Sequence, residues 1–105
     1  MAFTNTKGRY ASFGIVTSIP GELIDSIWFC IDNYLKHVIP LKHIIRFSIK
    51  NRSGKITLVF SQENFKHSVA VDFNLPFDPY YPRTILVIDR NGKETVTLPD
   101  EVNLI

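Results

Sequence analysis

A catalytic thiol needs a neighbouring base and partial exposure, and the single cysteine of this 105-residue chain has neither in its sequence surroundings. Cys30 falls on the apolar side of a helical pattern and reads as an inert core thiol. His37, His43 and His67 lack the spacing of metal ligands, and the first two straddle a helix end and Pro40. Asp25 and Asp32 share one polar helix face, without the pocket that would set two carboxylates to acid–base work. The five glycines are scattered at turns and make no phosphate-cradling loop. The expectation is therefore a protein that is not an enzyme, with no cofactor, metal or small-molecule ligand implied.

Two other groups of residues point to binding. Residues 33–62 contain no acid, yet hold Lys36, Lys42, Arg46, Lys50, Arg52 and Lys55. The net charge of +2 is thus unevenly spread, +5 over residues 1–62 and −3 over residues 63–105. Strand alternation turns Arg46 and Lys50 outward, with Arg52 in the following loop and Lys55 on the next strand. Together with Lys42 they define a nucleic-acid-binding alternative. Against it, Phe47 and Phe60 of the same hairpin point to the core, so no base-stacking platform results, and Lys and Arg also serve to protect strand edges. The other group centres on Phe29, an aromatic in the middle of a polar helix face between Asp25 and Asp32. An aromatic ringed by polar residues has the character of an interface anchor. A proline-rich loop bearing Phe77, Tyr80 and Tyr81 supplies further exposed apolar candidates. The preferred expectation is a non-enzymatic protein-interaction module, binding a protein partner or a second copy of itself through Phe29, Asp25, Asp32, Phe77, Tyr80 and Tyr81.

The elements that position these residues follow from periodicity. Over residues 20–38, Leu23, Ile27, Cys30, Ile31, Tyr34, Leu35 and Val38 fall in one sector at about 100° per residue, with Ile24 and Trp28 at its edge. This predicts one long amphipathic helix, opened by Pro20 and closed before Pro40. Residues 9–16 predict a strand with a bulge at Gly14. Residues 44–50 and 55–61 alternate apolar and polar side chains around Asn51-Arg52-Ser53-Gly54, an antiparallel hairpin. A strand over residues 68–73 turns Val69, Val71 and Phe73 to one side, with no partner that the pattern fixes. Three prolines make residues 75–83 a loop. Residues 84–88 are apolar on both faces, as suits an interior strand, and Asn91-Gly92 predicts a tight hairpin to residues 94–98. Pro99, Asp100 and Glu101 predict a last helical turn that docks Val102, Leu104 and Ile105. The expected architecture is a single α+β domain spanning residues 1–105, one long amphipathic helix packed on an antiparallel sheet of about five to six strands.

No apolar run reaches signal-peptide or membrane-span length, so a cytoplasmic protein without a membrane association is expected. Arg9-Tyr10, Gly14-Ile15, Ile19-Pro20-x-Glu22-Leu23, Trp28 and Ile31-Asp32 form a block that, with Phe60-Ser61-Gln62-Glu63 and Val87-Ile88-Asp89 before the Asn-Gly turn, resembles the domain-of-unknown-function 960 family. That family comprises small proteins of Gram-positive bacteria and their phages. The resemblance implies a cytoplasmic α+β protein with no assigned activity and no catalytic or binding residue to carry over.

Overall fold

The computed structural model describes residues 2–104, with the backbone alone for residues 103 and 104. Alternating apolar residues build a six-stranded sheet: β1 (Gly8–Ala11), β2 (Ile44–Arg52), β3 (Lys55–Ser61), β4 (Val69–Pro76), β5 (Thr84–Arg90) and β6 (Lys93–Thr97). Their order across the sheet is β1-β6-β5-β2-β3-β4, leaving β1 and β4 as edges. Strand β2 runs two residues further than the alternation predicts, while β3 keeps its predicted span. Arg52 pairs with Lys55, and Ser53 and Gly54, both at positive φ (51° and 88°), make a two-residue turn. Asn91 and Gly92 do the same for β5–β6, at 55° and 93°. Side chains from alternate positions, among them Ile45, Phe47, Leu58, Phe60, Ile85 and Val87, bury completely on one face. Each such burial contributes roughly 1.5–3 kcal/mol. As its sequence predicts, β5 is covered on both sides: Ile85 and Val87 face this core, and Ile88 on the other face is also buried.

The expectation of one long helix on an antiparallel sheet is overturned. The molecule is mostly sheet, curled into a half-barrel, with one helix of 15 residues. The sheet is also mixed, because β1 pairs β6 in parallel, from Gly8 opposite Lys93 to Ala11 opposite Val96. Two local events shorten the expected elements. At residues 12–13 the first strand gives way to a short helix, α1 (Phe13–Ser18). Its N-terminus is held by Ser12, whose Oγ accepts from Ile15 N at 3.3 Å, and by Glu101, whose Oε2 accepts from Gly14 N at 3.0 Å. The main helix, α2 (Gly21–Cys30), continues through a π turn (Ile31–Leu35) and stops. Lys36 is extended and His37 has φ 65°, so Val38, expected in the buried stripe, is exposed. Leu23, Ile27, Cys30, Ile31 and Leu35 are buried with the sheet's inner face in one core.

The C-terminal turn forms as a 3₁₀ segment (Pro99–Leu104). Val102 is half-buried, while the side chain of Leu104 and all of Ile105, expected to dock with it, lie outside the described residues.

Candidate functional site

Helix α2 reaches towards both edges of the half-barrel. Successive residues point about 100° apart, so Trp28 and Phe29 serve different flanks. On the β1 flank, the Arg9 guanidinium stands 4.7 Å over the Trp28 ring and donates to both Asp32 carboxylate oxygens, at 2.8 and 2.5 Å. Its Nε donates to Glu94 at 3.1 Å, and the Thr6 hydroxyl donates to the same carboxylate at 2.5 Å. Glu94 is fully buried, and among the described residues these two side chains donate to it. The hydrogen bond from Arg9 holds the Asp32 carboxyl below its usual value and raises the guanidinium in return.

On the β4 flank the same helix borders an open groove of about 470 Å³, lined by Asp25, Ser26, Phe29 and Tyr34 on one side and Val71, Asp72, Phe73 and Asn74 on the other. Alternate strand residues point to opposite faces. The groove touches four successive residues of β4, the last strand of the sheet, and so borders its free edge. Phe29 meets Tyr34 at 5.8 Å and 64°, and Phe73 at 6.2 Å and 80°, edge-on in both cases. Phe29 is 47% exposed and Tyr34 45%, so the corner they make is open to solvent. The π turn creates this corner. In regular α geometry residues 29 and 34 would stand about 140° apart; the wider turn, closed by Lys36 N donating to Ile31 O, brings Tyr34 out of the buried stripe to Phe29. Asn33 Nδ2 donates to Phe29 O at 3.0 Å within it.

The outer side of the groove is fixed by an irregularity between β3 and β4. Lys55 pairs Pro76 but Thr57 pairs Asp72, so β4 bulges over residues 73–75. Arg52 spans the bulge, donating to Phe73 O at 3.3 Å and pairing with Asp72 at 3.2 Å, while Thr57 donates to Asp72 at 2.6 Å. Lys55 donates to Asn74.

Of the residues predicted for partner binding, the structure brings together Asp25 and Phe29. Asp32 turns to Arg9 instead. Phe77 and Tyr81 pack partly against the core, with Phe77 N donating to Gly54 O at 2.8 Å, and Tyr80 stands alone at 94% exposure on an Asp78 turn. Of the basic set, Arg46, Lys50, Arg52 and Lys55 share the outer sheet face, with Arg46 opposite Ser61, Lys50 opposite Thr57 and Arg52 opposite Lys55. Lys42 lies before the strand, its backbone N–H donating to Gln62. Sequence reasoning missed Tyr34, Ser26 and residues 71–74. The outward alternation of β4 was visible, but its place at the sheet edge was not.

Burial pushes the Cys30 thiol up to about 12. The three imidazoles are dispersed: His37 is exposed past the helix, His43 Nδ1 lies 3.2 Å from Asp89 O, and His67 packs edge-on to Phe65. Among the described residues, no three His, Cys, Asp or Glu side chains gather as a metal site, and no helix is long and apolar enough to cross a membrane.

The profile of the family described as staphylococcal protein of unknown function, domain of unknown function 960, matches residues 8–101. The chain belongs to this family. The residues on which the resemblance rests form a scaffold: Arg9, Trp28 and Asp32 make the β1 clasp, Gln62 bridges Lys42 N and Pro40 O at 2.9 and 3.0 Å, and Asp89 accepts from Phe3 N and Gly92 N, both at 2.8 Å. A crystal structure of a protein of unknown function from Enterococcus faecalis is similar, with 45% identity over 90% of each chain and a TM-score of 0.88. No curated protein matches significantly.

Proposed function

We propose that this protein is a non-enzymatic interaction module that binds an extended segment of a partner protein along the free edge of β4. The observation that carries this reading is the groove itself, an apolar channel running beside an edge strand and walled by half-exposed aromatics. A strand edge offers unpaired backbone donors and acceptors, and an added strand satisfies them while alternate side chains fill pockets. The dispersed imidazoles and the buried, high-pKa thiol support a binding role rather than a reaction. The thiol also suits a reducing, cytoplasmic setting.

Charge selects the occupant. Asp72 is already paired with Arg52, whereas the exposed Asp25 carboxylate has no ion-pair or hydrogen-bond partner among the described residues. The segment that complements the groove is therefore basic.

Selection from a random peptide display library, followed by NMR mapping of the selected peptides, tests this. Amide shifts along residues 69–76 and 25–34, lost with Phe29→Ser, are expected. Peptides that map elsewhere, or none above background, overturn it. Sedimentation to high micromolar concentration runs alongside: self-association abolished by Phe29→Ser makes a second copy the occupant and overturns the partner-segment reading.

A further inference from the structure

The two flanks of α2 carry the same pair of groups. On the β1 flank an aromatic and a carboxylate one turn apart, Trp28 and Asp32, hold a guanidinium between them, with the cation 4.7 Å over the ring and both carboxylate oxygens engaged. On the β4 flank Asp25 and Phe29 have the same separation in the reverse order, carboxylate before ring, and within α2 this places both on one side of the helix. Here the ring is joined by two more, Tyr34 and Phe73, set at 64° and 80° to it. Each contact sets an edge of one ring against the face of its neighbour, so the three make one aromatic wall of the solvent-open groove, where a ring face left open attracts a cation. None of the three has a Lys or Arg of the described residues over its ring, and the guanidinium of Arg52 is held on the outer sheet face by Asp72 and Phe73 O.

We infer that the corner formed by Phe29, Tyr34 and Phe73 beside Asp25 is a receptor for one Lys or Arg side chain of the bound segment, so that recognition requires a cation at a single position. This rests on the partner-segment reading and adds its specificity. The stem of such a side chain lies on Val71 and the rings, and its charge faces Asp25. Arg9 on the opposite flank is the model within the molecule for how the head group sits.

The test titrates the full chain with N-acetyl-arginine-methylamide, its lysine counterpart and its norleucine counterpart, read by NMR at the Phe29, Tyr34 and Phe73 rings. Cationic probes are expected to bind about tenfold more tightly than norleucine, of the order a partly desolvated cation–π contact supplies. Asp25→Asn and 1 M salt should each narrow that gap several-fold, and Phe29→Ser should remove it. Equal binding of norleucine overturns the inference. The library-selected peptides then separate the two readings. Binding along β4 with an apolar residue in the corner overturns the inference alone. Cation binding at the rings with no peptide along β4 overturns the partner-segment reading, and with it the requirement placed on that segment.

Discussion

Arg9 is the residue on which the most charge depends. Its guanidinium neutralises a carboxylate, Glu94, that is fully buried, and a second, Asp32, at the surface. Among the described residues, Arg9→Ala leaves Glu94 with only the Thr6 hydroxyl as a side-chain donor. Breaking a buried pair from one side costs about 3–5 kcal/mol, and a loss near the lower figure is expected by chemical denaturation. Arg9→Ala with Glu94→Leu should recover part of it, and if the double variant is no more stable than the single one the buried charge is not what Arg9 offsets. Asp32 adds a pH dependence with a defined sign. Its folded value is depressed, so the stability it contributes is present above the ordinary carboxylate value and is lost as pH falls through the depressed one. Acid titration of Arg9→Ala should show the Asp32 carboxyl moved back up towards its ordinary range, because the donor that depresses it is gone. Cys30 behaves in the opposite way: held neutral by burial, with its value at about 12, it should resist a thiol-modifying reagent at pH 8 until the chain unfolds.

At the scale of elements, what sequence foresaw and what it did not divide along one line. Alternation places β2 and β3, an unbroken apolar run places β5, and Asn91-Gly92 places the last hairpin, because each of these signals is local. The conversion of residues 13–18 from strand to helix is not local: Glu101, 87 positions beyond Gly14, accepts from its backbone N–H, and the Ser12 hydroxyl donates to the same carboxylate at 2.6 Å. The hydrogen bond from Ser12, with help from the Gly14 and Leu98 amides, lowers the Glu101 carboxyl. Its contribution is therefore in place at neutral pH and fades as pH falls below the usual carboxylate range. Glu101→Gln should speed amide exchange at Gly14 and Ile15 and flatten that acid dependence; unchanged exchange there would show that α1 stands without its distant cap. The candidate site follows the same division. Asp25 and Phe29 are visible on a helical wheel, but Tyr34 joins them only through a π turn that no residue pattern marks, and Phe73 only through strand order.

The whole molecule is a curled sheet whose two edges are treated differently. Edge β1 is clasped to the helix by a salt bridge and a cation–ring contact, whereas β4 faces a groove. Of the basic residues, Arg52 is tied to Asp72 and Lys55 to Asn74, which leaves Arg46 and Lys50 on the outer face and the exposed Lys42 before β2 for phosphates. Three such contacts give a log–log salt slope of about −3 for duplex DNA; a slope of about −4 or steeper in a low-salt titration would show that the full basic set engages. The edge asymmetry makes the more searching prediction. An antiparallel strand directs its N–H groups alternately to either side, so in β4 one set pairs with β3 and the other faces the groove. Exchange rates in the free protein should therefore be slowest in the central strands β2 and β5, which have neighbours on both sides. Over residues 69–72 of β4, ahead of the bulge, they should alternate, fast and slow, from residue to residue. Saturation with a β4-directed basic peptide should slow the fast set selectively, because only those donors gain an acceptor. Fast amides of β4 that stay fast in the complex would mean that the partner lies against the rings without joining the sheet, and that the groove rather than the strand edge does the binding.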